Sequence, residues 1–151
     1  MKISLICTVF NEAGTIKNFL DSILIQTKKP YELVIVDGAS TDQTINEIID
    51  FQKTHGNKLK IKLIKKKGNR SVGRNTAIKN STSEIILCSD AGCILDKAWI
   101  ENITKPFTQK DVDVVAGTPC VITAGVNNVT QLLKARPAMT NPSPTPFLTA
   151  N

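Results

Sequence analysis

Four apolar runs rich in β-branched residues, Ile3 to Val9, Leu33 to Val36, Leu59 to Ile64 and Ile85 to Cys88, recur along the chain with a helix-patterned stretch between each pair. No other feature constrains the fold as tightly. A hairpin joins antiparallel strands with a few residues, whereas a parallel crossover needs a dozen or more, usually as a helix. The order reads β-α-β-α-β-α-β. It predicts a three-layer, Rossmann-like α/β domain whose mostly parallel sheet carries helices on both faces and is wound by right-handed crossovers.

The intervening stretches carry helix signals of their own. Ile16, Phe19, Leu20, Ile23 and Leu24 recur at three-and-four spacing, with Thr15 placed to cap the helix and Lys28-Lys29-Pro30 to close it. Ser40 and Gln43 have capping-box spacing ahead of an apolar face of Ile45, Ile48 and Ile49. Ser71 is placed to cap a short helix through Arg74, Asn75, Ala77 and Ile78. The run Ile85 to Cys88 reads as a strand buried on both faces. Beyond it the pattern predicts a helix around Trp99 to Phe107, a strand at Val112 to Ala116 and a further apolar stretch around Val121 and Ile122. Pro137, Pro142, Pro144 and Pro146 crowd the last part, which reads as loop or tail.

Composition narrows the function classes. A chain of 151 residues, 41% of them hydrophobic, suits one domain with a real core. The net charge of +6 favours an anionic partner. Much of the excess lies in Lys58, Lys60, Lys62, Lys65, Lys66 and Lys67, where the first three alternate with Leu59, Ile61 and Leu63. This is the pattern of a half-buried strand whose solvated lysines protect a sheet edge, with polyanion binding as the second reading. Cys7, Cys88, Cys93 and Cys120 lack metal-ligand spacing and read as buried free thiols of a reducing compartment. His55 is the one histidine, which argues against a His-based triad or zinc site. No leader or membrane span is legible, so the expected location is cytoplasmic, or peripheral at the inner membrane face if the acceptor is lipid-linked.

Three of the strands end in polar residues at what would be one sheet edge: Thr8 to Glu12, Asp37 to Asp42, and Ser89 to Gly92. In open α/β sheets that carboxyl edge is where ligands bind. An acid such as Asp37 can accept hydrogen bonds from a base or ribose, and Asp90 can hold a hard divalent cation through oxygen. Arg70 and Arg74 flank a helix start, where phosphate is well served. No glycine-rich Lys-Ser/Thr phosphate loop or G-x-G-x-x-G follows the first strand, which disfavours an ordinary P-loop ATPase or NAD-binding domain.

Thr8-Val9-Phe10-Asn11-Glu12, Val36-Asp37-Gly38-Ala39-Ser40-Thr41-Asp42, Gly73-Arg74-Asn75 and Ser89-Asp90-Ala91-Gly92 resemble, in order and spacing, the nucleotide-sugar half of family 2 glycosyltransferases. The resemblance implies a GT-A fold over residues 1–122 that binds a nucleoside diphosphate sugar, commonly a UDP-sugar, with Mn²⁺ or Mg²⁺, and inverts the anomeric centre. It implies that Thr8, Phe10, Asn11 and Glu12 line the nucleoside, that Asp37 meets the base and that Arg74 lies near base or diphosphate. Asp90 corresponds to the first acid of the family's Asp-x-Asp motif and to the metal ligand. Gly92 stands where the second acid usually does, which weakens the metal expectation, and Gly38 replaces an acid of the Asp-Asp-Gly-Ser segment. Residues 123–151 read as an incomplete acceptor-side segment or Pro-rich tail. No Asp or Glu follows Asp113, so the general base is expected outside this chain, which alone would transfer sugar weakly or not at all. The acceptor, whether glycan, lipid-linked sugar or protein, is not encoded in these motifs. The rivals are a nucleotidyltransferase-like enzyme, disfavoured by the acid in the first loop, and a basic α/β domain binding nucleic acid, disfavoured by an aromatic content of 5%.

Overall fold

In the computed structural model, which describes residues 1–109 and 112–117, the first strand forms the spine of the sheet. The elements are β1 (Ile3–Val9), α1 (Ile16–Leu24), β2 (Glu32–Asp37), α2 (Thr44–His55), β3 (Ile61–Lys65), α3 (Arg70–Lys79), β4 (Ile85–Cys88) and α4 (Trp99–Thr104), followed by a 3-10 turn at Lys105–Thr108. All four strands are parallel, in the order β3-β2-β1-β4. The α/β architecture expected from the alternation, a parallel sheet with helices on both faces, is the one found.

Side-chain alternation distributes each strand's apolar residues between two covered faces. Leu5, Cys7 and Val9 with Leu33 and Ile35 pack against Ile16, Phe19, Leu20 and Ile23 of α1, Ile48 and Phe51 of α2, and Ile100 of α4. Ile6, Val34 and Val36 face the other way, against Ala77 of α3. β3 lies at one edge, with Ile61 turned in and Lys62 out, as the lysine alternation predicts.

Several local expectations are corrected. β4 is paired only with β1 among the described residues, and Leu87 is buried while Ile86 and Cys88 are exposed, so the strand is covered on one face rather than both. Cys7 alone of the described cysteines is a buried thiol; Cys93 is exposed and Cys120 lies outside the described residues. On α2 the inward positions are Thr44, Ile48 and Phe51, whereas Ile49 faces water. Helix α3 is capped by Asn69, whose side chain accepts from the Val72 amide 3.0 Å away, two residues before Ser71. Ser40 caps no helix, because α2 begins at Thr44, where the Asp42 carboxylate takes both the Thr44 amide and hydroxyl. Thr15 precedes α1, but its hydroxyl donates back to Glu12. Residues 112–117 form no strand, and the stretch around Val121 and Ile122, with residues 123–151, lies outside the described residues.

Ala39 adopts φ +79, a left-handed conformation that costs an L-residue about 1–2 kcal/mol. Glycine relieves that strain but loses more backbone entropy on folding. Ala39→Gly is therefore expected to stabilise the fold by about 0.5 kcal/mol, read as a higher urea midpoint with unchanged slope.

Candidate functional site

The three polar strand ends do meet at one edge, since Val9 registers with Asp37 across β1 and β2, and Ile6 with Cys88 across β1 and β4. There a cleft of about 290 Å³ is lined by residues that include Thr8, Phe10, Glu12, Lys66, Arg70 and Asp90. Phe10 is 59% exposed, an unusual cost for so large an apolar ring unless a ligand covers it. Its ring lies over Gly38, where an added Cβ would stand 3.6 Å from the Phe10 Cδ2 and 3.4 Å from the Val9 carbonyl oxygen.

Thr8 and Gly73 also line the cleft. A Cβ on Gly73 would come within 2.6 Å of Thr8 Cγ2, so only glycine lets α3 approach β1 this closely. That approach brings Arg74 to Asp90, where the guanidinium donates to the carboxylate over 2.9 Å. Both members are partly exposed, so the pair is a solvent-screened contact that a ligand can open at little cost.

Asn11 and Asp37 are not among the residues that line the cleft. Asp37 is fully buried and accepts the amides of Ala39 and Ser40, closing its own turn rather than lining the cleft. The Asn11 side-chain oxygen accepts the Thr41 amide. Four successive amides of the first loop are likewise taken by the second loop and α2: Asn11 donates to Ser40, Glu12 to Thr44, Ala13 to Asp42 and Gly14 to Glu47. The Thr44 hydroxyl, aided by the amides of Ala13 and Thr44, holds the Asp42 carboxyl below its ordinary range. The two loops are therefore one braced unit, with Phe10 and Glu12 carried at its rim.

Lys66, Gly68 and Asn69 were not legible as site residues, although each lines the cleft. Their signal was position: they follow β3 at the same carboxyl edge, and the Lys66 amide is tied to the Asp37 carbonyl at 2.8 Å. For a metal the donor set is thin. Among the described residues no three His, Cys, Asp or Glu side chains converge on a point. Asp90 already holds Arg74, and Glu12 receives the Thr15 hydroxyl. A Cβ on Gly92 would meet nothing within 4 Å, so no neighbour fills the place of the absent acid. Of the described residues lining the cleft only Glu12 and Asp90 offer carboxylate oxygens, so most of the six or more oxygens that a hard divalent cation takes would come from water and a bound ligand.

The fold and the cleft define a three-layer α/β domain with a ligand cleft at the carboxyl edge of a parallel sheet. The family model for glycosyl transferase family 2 matches residues 4–149, and the chain belongs to that family. It is 31% identical over 117 residues to Glycosyltransferase AglE of Haloferax volcanii, covering 76% of this chain and 38% of AglE. Staphylococcus aureus TarS 1-349, solved in complex with UDP-GlcNAc, superposes with a TM-score of 0.59 at 29% identity over 68% of this chain and 30% of that one. The mannosyltransferase PcManGT from Pyrobaculum calidifontis, solved with GDP-Man and Mn²⁺, gives a TM-score of 0.67 at 29% identity over 74% of this chain and 33% of that one. The chain thus spans between three and four tenths of the length of these relatives. No helix among the described residues is long and apolar enough to cross a membrane.

Proposed function

We propose that this chain binds the donor of an inverting glycosyltransferase, a nucleoside diphosphate sugar with uridine as the base. The observation that carries the reading is the cleft itself, with an exposed aromatic ring on one wall and Lys66, Arg70 and the Arg74–Asp90 pair around it. An exposed ring is a stacking surface for a base, and the cations meet the diphosphate. TarS, solved with UDP-GlcNAc, supports uridine. The location proposed is cytoplasmic, at the inner membrane face where the acceptor is lipid-linked. In an inverting transfer the acceptor hydroxyl would attack the anomeric carbon from the face opposite the departing nucleotide. That step needs a base, and proton transfer to one is worth roughly 10² to 10⁴ in rate. Among the described residues Glu12 and Asp90 are the acids that line the cleft, and each is already engaged by a neighbouring side chain. This chain alone is therefore expected to bind donor with little or no acceptor-dependent transfer.

Calorimetry with UDP, GDP and UDP-sugars tests the donor reading. UDP is expected to bind, and Phe10→Ala to weaken it about tenfold, since stacking is worth roughly 1–3 kcal/mol per base. The unfolding transition should barely move, because the ring is exposed. Binding of RNA that falls steeply with salt, without any nucleotide binding, would favour the basic-domain rival instead.

A further inference from the structure

Resting on the donor reading above, we infer that this chain holds the donor diphosphate with the side chains of Lys66 and Arg70 in place of a divalent cation, so that donor binding is independent of metal. The argument begins with what the β4 edge lacks. Gly92 supplies no oxygen, the space around it is open, and Asp90 is left as a lone carboxylate whose charge is already met by Arg74. A hard cation beside one shared carboxylate takes the rest of its shell from water and the donor's own phosphate oxygens, so the protein adds little to its hold.

The facing wall offers the charge instead. Lys66 follows the end of β3 with its amide fixed to the Asp37 carbonyl, and Arg70 is the first residue of α3, so two separate segments each bring a cationic residue to the lining of one cleft. Both residues are exposed, and neither has a carboxylate within 4.0 Å among the described residues, whereas Arg74 does. Among the described residues the other charged groups lining the cleft are Glu12 and Asp90, and Asp90 is offset by Arg74. A sugar-linked diphosphate carries one negative charge on each phosphoryl group. Lys66 and Arg70 match that count, and guanidinium and ammonium hydrogen bonds to phosphate oxygens are roughly twice as strong as neutral ones. The task of the bound metal, offsetting diphosphate charge, is thereby moved from the β4 edge to the β3–α3 side.

Calorimetric titration of the full chain with UDP and with GDP, in EDTA and in Mg²⁺ or Mn²⁺, tests this. The expected result is a Kd that changes by less than about threefold between conditions, while Lys66→Ala combined with Arg70→Ala weakens binding by about a hundredfold or more. The double variant should also flatten the salt dependence, and its unfolding curve should match the parent because both side chains are exposed. Gly92→Asp is expected to make binding metal-responsive, since the added carboxylate has room. Nucleotide binding that is tightened tenfold or more by either ion, or that survives the double substitution, overturns the inference while leaving the donor reading intact. Absence of binding to either nucleotide in every condition overturns both.

Discussion

Gly73→Val is expected to cost the folded chain about 3 kcal/mol and to abolish nucleotide binding in the same step. The contact is specific. A Cβ at position 73 would lie 2.6 Å from Thr8 Cγ2 and 3.4 Å from Thr8 Cβ, so either α3 must lift from the sheet or Thr8 must leave its rotamer. Thr8 is β-branched and stiff at χ1, and α3 packs on both β1 and β2, so neither accommodation is cheap. Alanine at the same place recovers about 1 kcal/mol of helix propensity against an overpacking cost of about 1–3 kcal/mol, which leaves a net loss nearer 1 kcal/mol. Valine adds two methyl groups to the collision and has no such compensation. Moving α3 also carries Arg70 and Arg74 away from the cleft, which couples the packing fault to the site. Gly92→Ala is the matched control, since its Cβ meets nothing, and should leave urea unfolding unchanged. A Gly73→Val chain as stable as the parent would mean that α3 does not sit this close to β1.

The fold was legible because the physics that makes it is local. Leu33 to Val36 is apolar without alternation because both faces of β2 are covered, and β3 alternates because it stands at an edge. What an apolar run cannot say is how many neighbours it has. Ile85 to Cys88 reads like β2, yet β4 is paired on one side only among the described residues, and half of its side chains face outward. Caps were misread for a related reason. Asn69 and Ser71 can both accept an amide, and the choice rests on where α3 begins against the sheet.

The site divides along the same line. That three strand ends would converge was readable from the crossover rule, and Thr8, Phe10, Glu12 and Asp90 do line one cleft. Which polar groups remain available to a ligand was not readable. Asp37 and Asn11 spend their oxygens on backbone amides of the second loop, and for Asn11 the partner is 30 residues away. Lys66 was masked by its neighbours, because a run of lysines beside an edge strand is ordinarily a solvated face.

Glu32→Ala is expected to destabilise the chain by about 3 kcal/mol while leaving nucleotide affinity unchanged in the molecules that remain folded. Glu32 opens β2, at the strand's amino end and thus opposite the cleft, and only 1% of it is exposed. Its Oε1 accepts the Ser4 hydroxyl from β1 and both the amide and the hydroxyl of Thr82 ahead of β4, each at 2.7 Å. One carboxylate therefore ties three strands together. Burial alone would raise its pKa, but the Ser4 and Thr82 hydrogen bonds, with Lys60 nearby, prevail and hold it below the ordinary value of 4.5. A carboxyl with a depressed folded pKa contributes stability that is full above its unfolded pKa and is lost as pH falls through the folded one. The parent should accordingly lose stability as pH drops below 4.5, and the alanine variant should lose less over the same range. Glu32→Gln separates charge from shape: it retains an acceptor for Thr82 and Ser4, so its cost should be smaller, about 1–2 kcal/mol, while its acid sensitivity should fall to that of the alanine variant. Urea unfolding at roughly pH 7 and pH 3 measures all three, and equal acid losses in parent and glutamine variant would mean that the acid sensitivity arises at another carboxylate.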